Sequence, residues 1–291
     1  MAAGMSLLGA AGCQNPFDGA DPPPAPVPDA AEAGAVGAAP VGSPSQWASA
    51  STAPTATPSG APSPTATGSP TATGSPSAQA AQPVQPVHKV LTQAEGKPVY
   101  ELDPSRKVVA LTIDDGPDPR YTPTVLDLLQ KYGIRATFFL IGENAVQHPA
   151  LVREIADRGH HIANHTWTHP DLRHLSDAKV RDELERTSDV LFKTTGRQPT
   201  WFRAPGGDWS DASLRIAADL GLRNMAWSVD PRDWARPGTS AIVDTILKDV
   251  RPGSIVLNHD GGGDRSQTVA AIKAYLPVLV DSGYFFTAPP N

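Results

Sequence analysis

Residues 107–117 read KVVALTIDDGP. The run from Val108 to Ile113 is apolar or β-branched throughout, and it ends in two acids and a Gly-Pro turn signal. A short run of that kind predicts a strand buried on both faces, over 108–115, with its polar groups delivered at the carboxyl end. Working outward, the same theme recurs. Helices are predicted over 123–132, 151–158, 176–194, 211–220, 239–250 and 268–282, the last broken at Pro277; several are closed by a glycine (Gly133, Gly159, Gly196, Gly221). Strands are predicted over 136–142, 161–164, 200–204, 224–229, 253–257 and 284–287. Strands alternating with crossover helices mean a parallel sheet covered on both sides, an α/β fold. Seven or eight such units in about 185 residues favour a closed barrel over an open sheet.

The composition is divided. The chain has 291 residues, 31 prolines, 25 glycines, one cysteine and a formal net charge of -6. Residues 1–88 hold 16 of the prolines and four acids (Asp18, Asp21, Asp29, Glu32), and the first Lys or Arg is Lys89. The remaining 26 acids face all 24 bases, so residues 89–291 are nearly neutral, which argues against an electrostatic nucleic-acid binder. One cysteine excludes an intramolecular disulfide framework and cysteine-rich zinc sites. Residues 64–75 repeat PTATGS twice; a segment this poor in apolar surface cannot offset its ordering entropy, and 14–88 is expected to be a disordered tether. About 75 residues of tether span roughly 50 Å as a flexible coil and about 230 Å stretched into polyproline II. At the start, Met5 to Gly12 is apolar with small residues and Cys13 follows directly. Small residues before a cysteine resemble the bacterial lipobox, although Ala10 stands where Leu is usual and no Lys or Arg precedes it. Residues 1–13 are therefore expected to be part of a lipoprotein signal that begins upstream of Met1, with Cys13 as the lipid-bearing residue.

The residues just after the strands carry the chemistry, because parallel α/β folds build their sites there. They are Asp114-Asp115-Gly116-Pro117, His165-Thr166-Trp167-Thr168-His169, Arg203-Ala204-Pro205-Gly206-Gly207, Asp230-Pro231-Arg232-Asp233-Trp234 and Leu257-Asn258-His259-Asp260. Taken singly each has an ordinary reading: Asp-Gly-Pro is good turn chemistry, a histidine pair arises readily among eight histidines, and Arg203 or His259 could sit in a plain loop. His148, His160, His161 and His174 are read as surface or structural. Taken together they assemble a mechanism. Two His and one Asp make a three-ligand set with open positions for a catalytic metal. A second Asp can take a proton from water, a further His can protonate a leaving group, and an Arg can keep the base ionised.

As a set, in this order across 107–287, these motifs resemble the polysaccharide deacetylase family, the NodB-homology or carbohydrate esterase family 4 domain. Ile113 stands where that family commonly has Phe, and Asn258 fills a variable position. The resemblance implies a distorted (β/α)7 barrel for residues 89–291. It implies that Asp115, His165 and His169 bind one divalent metal, usually Zn2+, that Asp114 is the general base, and that His259 is the general acid. It further implies that Arg203 orients Asp114 and Asp230 tunes His259. Trp234 and Leu257 would line the pocket for the acetyl methyl, and the Gly206 backbone N–H would donate to the oxyanion. The expected activity is hydrolysis of the acetamide of N-acetylglucosamine units, in peptidoglycan first and chitin oligomers second, by an exported, surface-tethered monomer with no nucleic-acid partner. O-deacetylation of acetylated xylan, or silent glycan binding, are the competing activities.

Overall fold

The computed structural model describes residues 89–289; the expected tether and Cys13 lie outside the described residues. Seven parallel strands form one curled sheet: β1 (Val108–Asp114), β2 (Thr137–Leu140), β3 (His161–Asn164), β4 (Trp201–Phe202), β5 (Arg223–Asn224), β6 (Ile255–His259) and β7 (Phe285–Phe286). The order is β5-β4-β3-β2-β1-β6, with β7 pairing the start of β1. Seven helices follow the strands around the outside: α1 (Thr122–Lys131), α2 (Gly142–Gln147), α3 (Pro149–Asp157), α4 (Asp177–Thr195), α5 (Asp211–Asp219), α6 (Thr239–Asp249) and α7 (Ser266–Asp281). β5 and β6 do not pair as a ladder; isolated bridges at Val99–Met225, Glu101–Ser254 and Val229–Val256 span the gap. The result is the expected α/β barrel in distorted, half-closed form. Among the described residues no helix is long and apolar enough to cross a membrane.

Alternation along β1 explains how one strand serves two environments. Val109, Leu111 and Ile113 belong to the main core beneath the helices, with Leu126, Leu129, Ile155, Ile272 and Leu276. Ala110 faces the barrel interior with Phe139, Ala163, Trp201, Met225 and Ile255, and the two-residue period of a strand puts Thr112 and Asp114 on that same side. The helix termini follow local chemistry. α5 opens on a capping box between Ser210 and Ser213, and α4 closes on Gly196, which takes the left-handed conformation.

β4 is shorter than the expected 200–204 and β6 lies two residues beyond the expected 253–257, and three further departures have a physical cause. The strand expected over 224–229 shrinks to two residues, because the carbonyls of Met225 and Ala226 accept hydrogen bonds from Arg203 rather than from a neighbouring strand. α7 runs unbroken through Pro277; Tyr275, Leu276 and Leu279 around it are all buried, and their packing outweighs the one lost backbone bond. Gly142 starts a helix instead of ending a strand. Its N–H donates to the Thr166 carbonyl, and a Cβ there would lie 2.3 Å from the Trp167 ring and 2.7 Å from Thr187 Oγ1. Gly142 thus lets α2 approach the loop between the two histidines of the HTWTH run. Gly142→Ala should cost about 2 kcal/mol by overpacking and lower the melting temperature by roughly 5 °C. A thermal melt indistinguishable from wild type would refute this account of the contact.

Candidate active site

Asp114 closes β1 and is almost fully buried. Its Oδ1 accepts a hydrogen bond from Arg203 Nη1 at 2.7 Å. Arg203 follows β4 and has no solvent exposure. Its remaining donors reach Thr112 Oγ1 at 2.9 Å, the Met225 carbonyl at 3.0 Å and the Ala226 carbonyl at 2.9 Å. The guanidinium lies over the Phe139 ring, 4.2 Å from its centroid. Burial pushes the guanidinium below its usual range while Asp114 pulls it back; each guanidinium nitrogen donates to an oxygen, so the pair is a buried, hydrogen-bonded ion pair.

Asp115, His165 and His169 gather beside it. Asp115 Oδ1 lies 3.5 Å from His165 Nε2 and 3.3 Å from His169 Nε2, and one ligand atom from each residue falls within a 4.8 Å cluster. Neighbouring strand residues ordinarily point to opposite faces. Asp115 avoids this by leaving the strand with φ 70°, so both carboxylates serve one site; Thr166 and His169 are left-handed too, at 67° and 59°. That backbone is uncommon for residues other than glycine, and the surroundings hold it. Thr166 N–H donates to Asn164 Oδ1, while Trp167 N–H, Thr168 N–H and the Thr168 hydroxyl all donate to Glu183 of α4.

The donor set fits a divalent cation. His165 Nδ1 sits 2.8 Å from the Arg203 carbonyl, which makes that nitrogen the N–H donor and leaves Nε2 as a lone-pair donor. Asp115 Oδ1 is buried without a hydrogen-bond partner, although it faces both imidazoles. Burial pushes the Asp115 carboxyl up, but the adjacent His165 imidazole, with His259 and His169, brings it well below the ordinary carboxylate range. Burial, with the charge of His165, lowers the His169 imidazole. A metal requires an ionised carboxylate and neutral imidazoles, and the surroundings move Asp115 and His169 in those directions.

His259 closes β6 directly opposite Asp114 in the strand register. Its Nδ1 lies 2.7 Å from Asp233 Oδ1, and its backbone N–H donates to Asp233 Oδ2 at 2.8 Å, which also accepts from the Thr268 hydroxyl. Burial would lower this imidazole, but hydrogen bonding and charge from Asp233, with Asp114 and Asp115 adding to them, raise it to about 9.

The family pattern described as polysaccharide deacetylase matches residues 101–225. A peptidoglycan-N-acetylglucosamine deacetylase of Bacillus cereus is 44% identical over 193 residues, covering 66% of this chain and 90% of that protein. The chain belongs to the polysaccharide deacetylase family. A chitooligosaccharide deacetylase of Sinorhizobium fredii is 45% identical over 63% of this chain and 90% of its own length. Among solved structures, the Bc1960 peptidoglycan N-acetylglucosamine deacetylase superposes with a TM-score of 0.64 at 35% identity, covering 66% of this chain and 90% of that one. A family 4 carbohydrate esterase from Streptomyces lividans, in complex with acetate, gives 0.59 at 34% identity, over 63% and 93%.

As a polysaccharide deacetylase the chain is a hydrolase, and its site residues fall as follows. Asp114, Asp115, His165, His169, Arg203 and His259 converge at the carboxyl ends of β1, β3, β4 and β6. Asp230 does not join them. It is half-buried and accepts from its own loop, the Arg232 N–H at 2.7 Å; the carboxylate on His259 is Asp233. Both acids belong to the Asp230–Trp234 run, and only the fold shows that Asp233 is buried under β6 with Thr268 beside it. Trp234 stands nearly half exposed at the rim with Arg232 over its ring, and Leu257 is buried. Gly206 lies exposed in the turn after Arg203 at φ 65°. Glu183, Asn164 and Thr268 support this deacetylase's site from outside the motifs; a buried acid on a helix and a buried amide on a strand mark the first two, and nothing local marks Thr268.

His259 is raised from 6.5 to about 9 in the folded state, so its contribution to stability is complete below about 6.5 and disappears as pH rises through about 9. Removing the Asp233 carboxylate removes the largest raising influence and leaves burial opposed only by the charges of Asp114 and Asp115. In the metal-free protein, ring NMR titration should place His259 near 9 in wild type and in Asp230→Asn, and well below the wild-type position in Asp233→Asn. A large downward shift in Asp230→Asn instead would reverse the assignment.

Proposed function

We propose that residues 89–291 form a zinc-dependent N-deacetylase that removes the acetyl group from N-acetylglucosamine units of peptidoglycan, releasing acetate. The observation that carries this reading is the register pair Asp114–His259 flanking the Asp115–His165–His169 cluster: a base, an acid and a metal-ligand set around one point. Fold likeness alone would not suffice, since a solved relative of 31% identity and TM-score 0.62 is described as a pseudoenzyme. Here the base, the acid and all three ligand residues are present.

An acetamide is resonance-stabilised and its amine is a poor leaving group, so hydrolysis needs a polarised carbonyl, an activated water and a proton for nitrogen. Asp115, His165 and His169 would hold the divalent ion, which supplies Lewis-acid polarisation of the carbonyl. Asp114 offers Oδ2 to accept the proton of the attacking water, while Arg203 occupies Oδ1 and fixes the carboxylate's orientation. His259, held protonated by Asp233, delivers its Nε2 proton to the departing amine. The Gly206 N–H donates to the developing oxyanion, and Trp234 and Leu257 border the acetyl methyl.

The two leading relatives by name act on peptidoglycan and on chitooligosaccharide. The Pro-rich tether between Cys13 and the enzyme favours the immobile wall polymer, with the protein exported, monomeric and lipid-anchored at the outer face of the membrane. Acetate release with added zinc should be greatest on peptidoglycan, lower on chitin oligomers and lowest on acetylated xylan; the reverse order would make it an O-deacetylase. Asp114→Asn should lose about 100-fold or more in turnover while still binding one zinc. His165→Ala should lose zinc and turnover together, and retention of tightly bound zinc would contradict the ligand set.

A further inference from the structure

Arg265 takes no part in the chemistry above, yet its side chain is nearly as buried as that of Arg203. It precedes α7, and its guanidinium spreads over three separate backbone carbonyls. Nε donates to Gly261 at 2.6 Å, Nη2 to Gly262 at 3.1 Å and Nη1 to Trp234 at 3.3 Å. Nη2 also stands 3.9 Å from Asp115 Oδ2, within ion-pair range but too far for a hydrogen bond. The glycine loop it holds presses on the same residue. A Cβ on Gly262, which has φ 70°, would sit 2.6 Å from Asp115 Oδ2, and one on Gly261 would sit 2.1 Å from the Asp115 carbonyl oxygen.

The two oxygens of Asp115 therefore meet different surroundings. Oδ2 backs onto Gly262 and the Arg265 cation. Oδ1 faces His165 and His169 and has no hydrogen-bond partner. A carboxylate free to turn about its Cβ–Cγ bond could present either oxygen, or both, to a cation. We propose that Arg265 is a positioning residue that fixes the Asp115 carboxylate, with Oδ2 directed to the guanidinium and Oδ1 alone toward the two histidines. This rests on the reading of Asp115 as a metal ligand. Each of the adjacent acids then has its own buried arginine, Arg203 for the base and Arg265 for the ligand. By holding the Trp234 carbonyl, Arg265 also couples the loop bearing Asp233 and Trp234 to the end of β1. Lysine keeps the charge but cannot spread donors over three carbonyls.

The test is zinc affinity of the full chain, measured by competition with a chromophoric chelator well below the melting temperature. Supporting metal-ligand residues at one remove typically contributes 10–100-fold in metal affinity. Arg265→Met should therefore bind zinc about 10–100-fold more weakly than wild type, with one zinc still bound at saturation, and Arg265→Lys should fall between the two. A plain loop staple would lower the melting temperature while leaving the zinc affinity of the folded protein within threefold of wild type; that result, or tighter binding, overturns the proposal. If Arg265→Met does not fold, Gly262→Ala crowds Oδ2 from the same side and should weaken zinc binding likewise, and unchanged affinity there overturns it equally. Absence of zinc uptake by wild type would instead remove the ligand assignment itself, a result distinct from a wild type that binds zinc and an Arg265 variant that matches it.

Discussion

Arg203 carries a full charge at a position without solvent, and satisfying that charge organises the neighbouring strands. Moving such an ion out of water has an effective cost of several kcal/mol. The cost is offset by Asp114, by the Thr112 hydroxyl, and by the carbonyls of Met225 and Ala226. Those carbonyls are then unavailable to a sheet ladder, so β5 is short and the barrel stays incompletely closed between β5 and β6. The residue's backbone is committed as well: its N–H donates to the Asn164 carbonyl, and its own carbonyl meets His165 Nδ1. One residue thus holds the Asp114 carboxylate, the tautomer of His165 and the contact between β3 and β4.

A second constraint lies in the backbone. Asp115, Thr166 and His169 all adopt left-handed conformations, each uphill for a residue with a side chain. They are held by contacts from outside the loops: Glu183 on α4, Asn164 on β3, and the glycine loop after β6. The approach of α2 at Gly142 depends on the same loop geometry. The site is accordingly rigid by construction, with side chains at strand ends and loop backbones fastened to helices behind them.

The fold class was legible because buried parallel strands are continuous apolar runs, and because their carboxyl ends carry the polar residues. β1 shows this in one line of sequence. The residues that converge at the site were legible for the same reason: Asp114, Asp115, His165, His169 and His259 are adjacent to strands, in short motifs of residue types suited to binding metal or moving protons. The elements misread were those whose conformation depends on distant partners. Pro277 stays helical because buried Tyr275, Leu276 and Leu279 flank it. The strand after Gly221 stops early because Arg203 takes its carbonyls.

The choice between Asp230 and Asp233 shows where sequence information ends. The sequence by itself determined that a carboxylate from that loop would be near the site, since local order places both acids just after the fifth strand. Which of them touches His259 depends on a turn that buries Asp233 against β6 and Thr268 and leaves Asp230 to its own loop. Arg265 is the same case: nothing near it in the chain marks it, and its place behind Asp115 exists only because β1 and β6 are neighbours in the sheet. Local residue type decided the available chemistry. Burial and long-range hydrogen bonding decided which groups perform it, because both depend on residues remote in sequence.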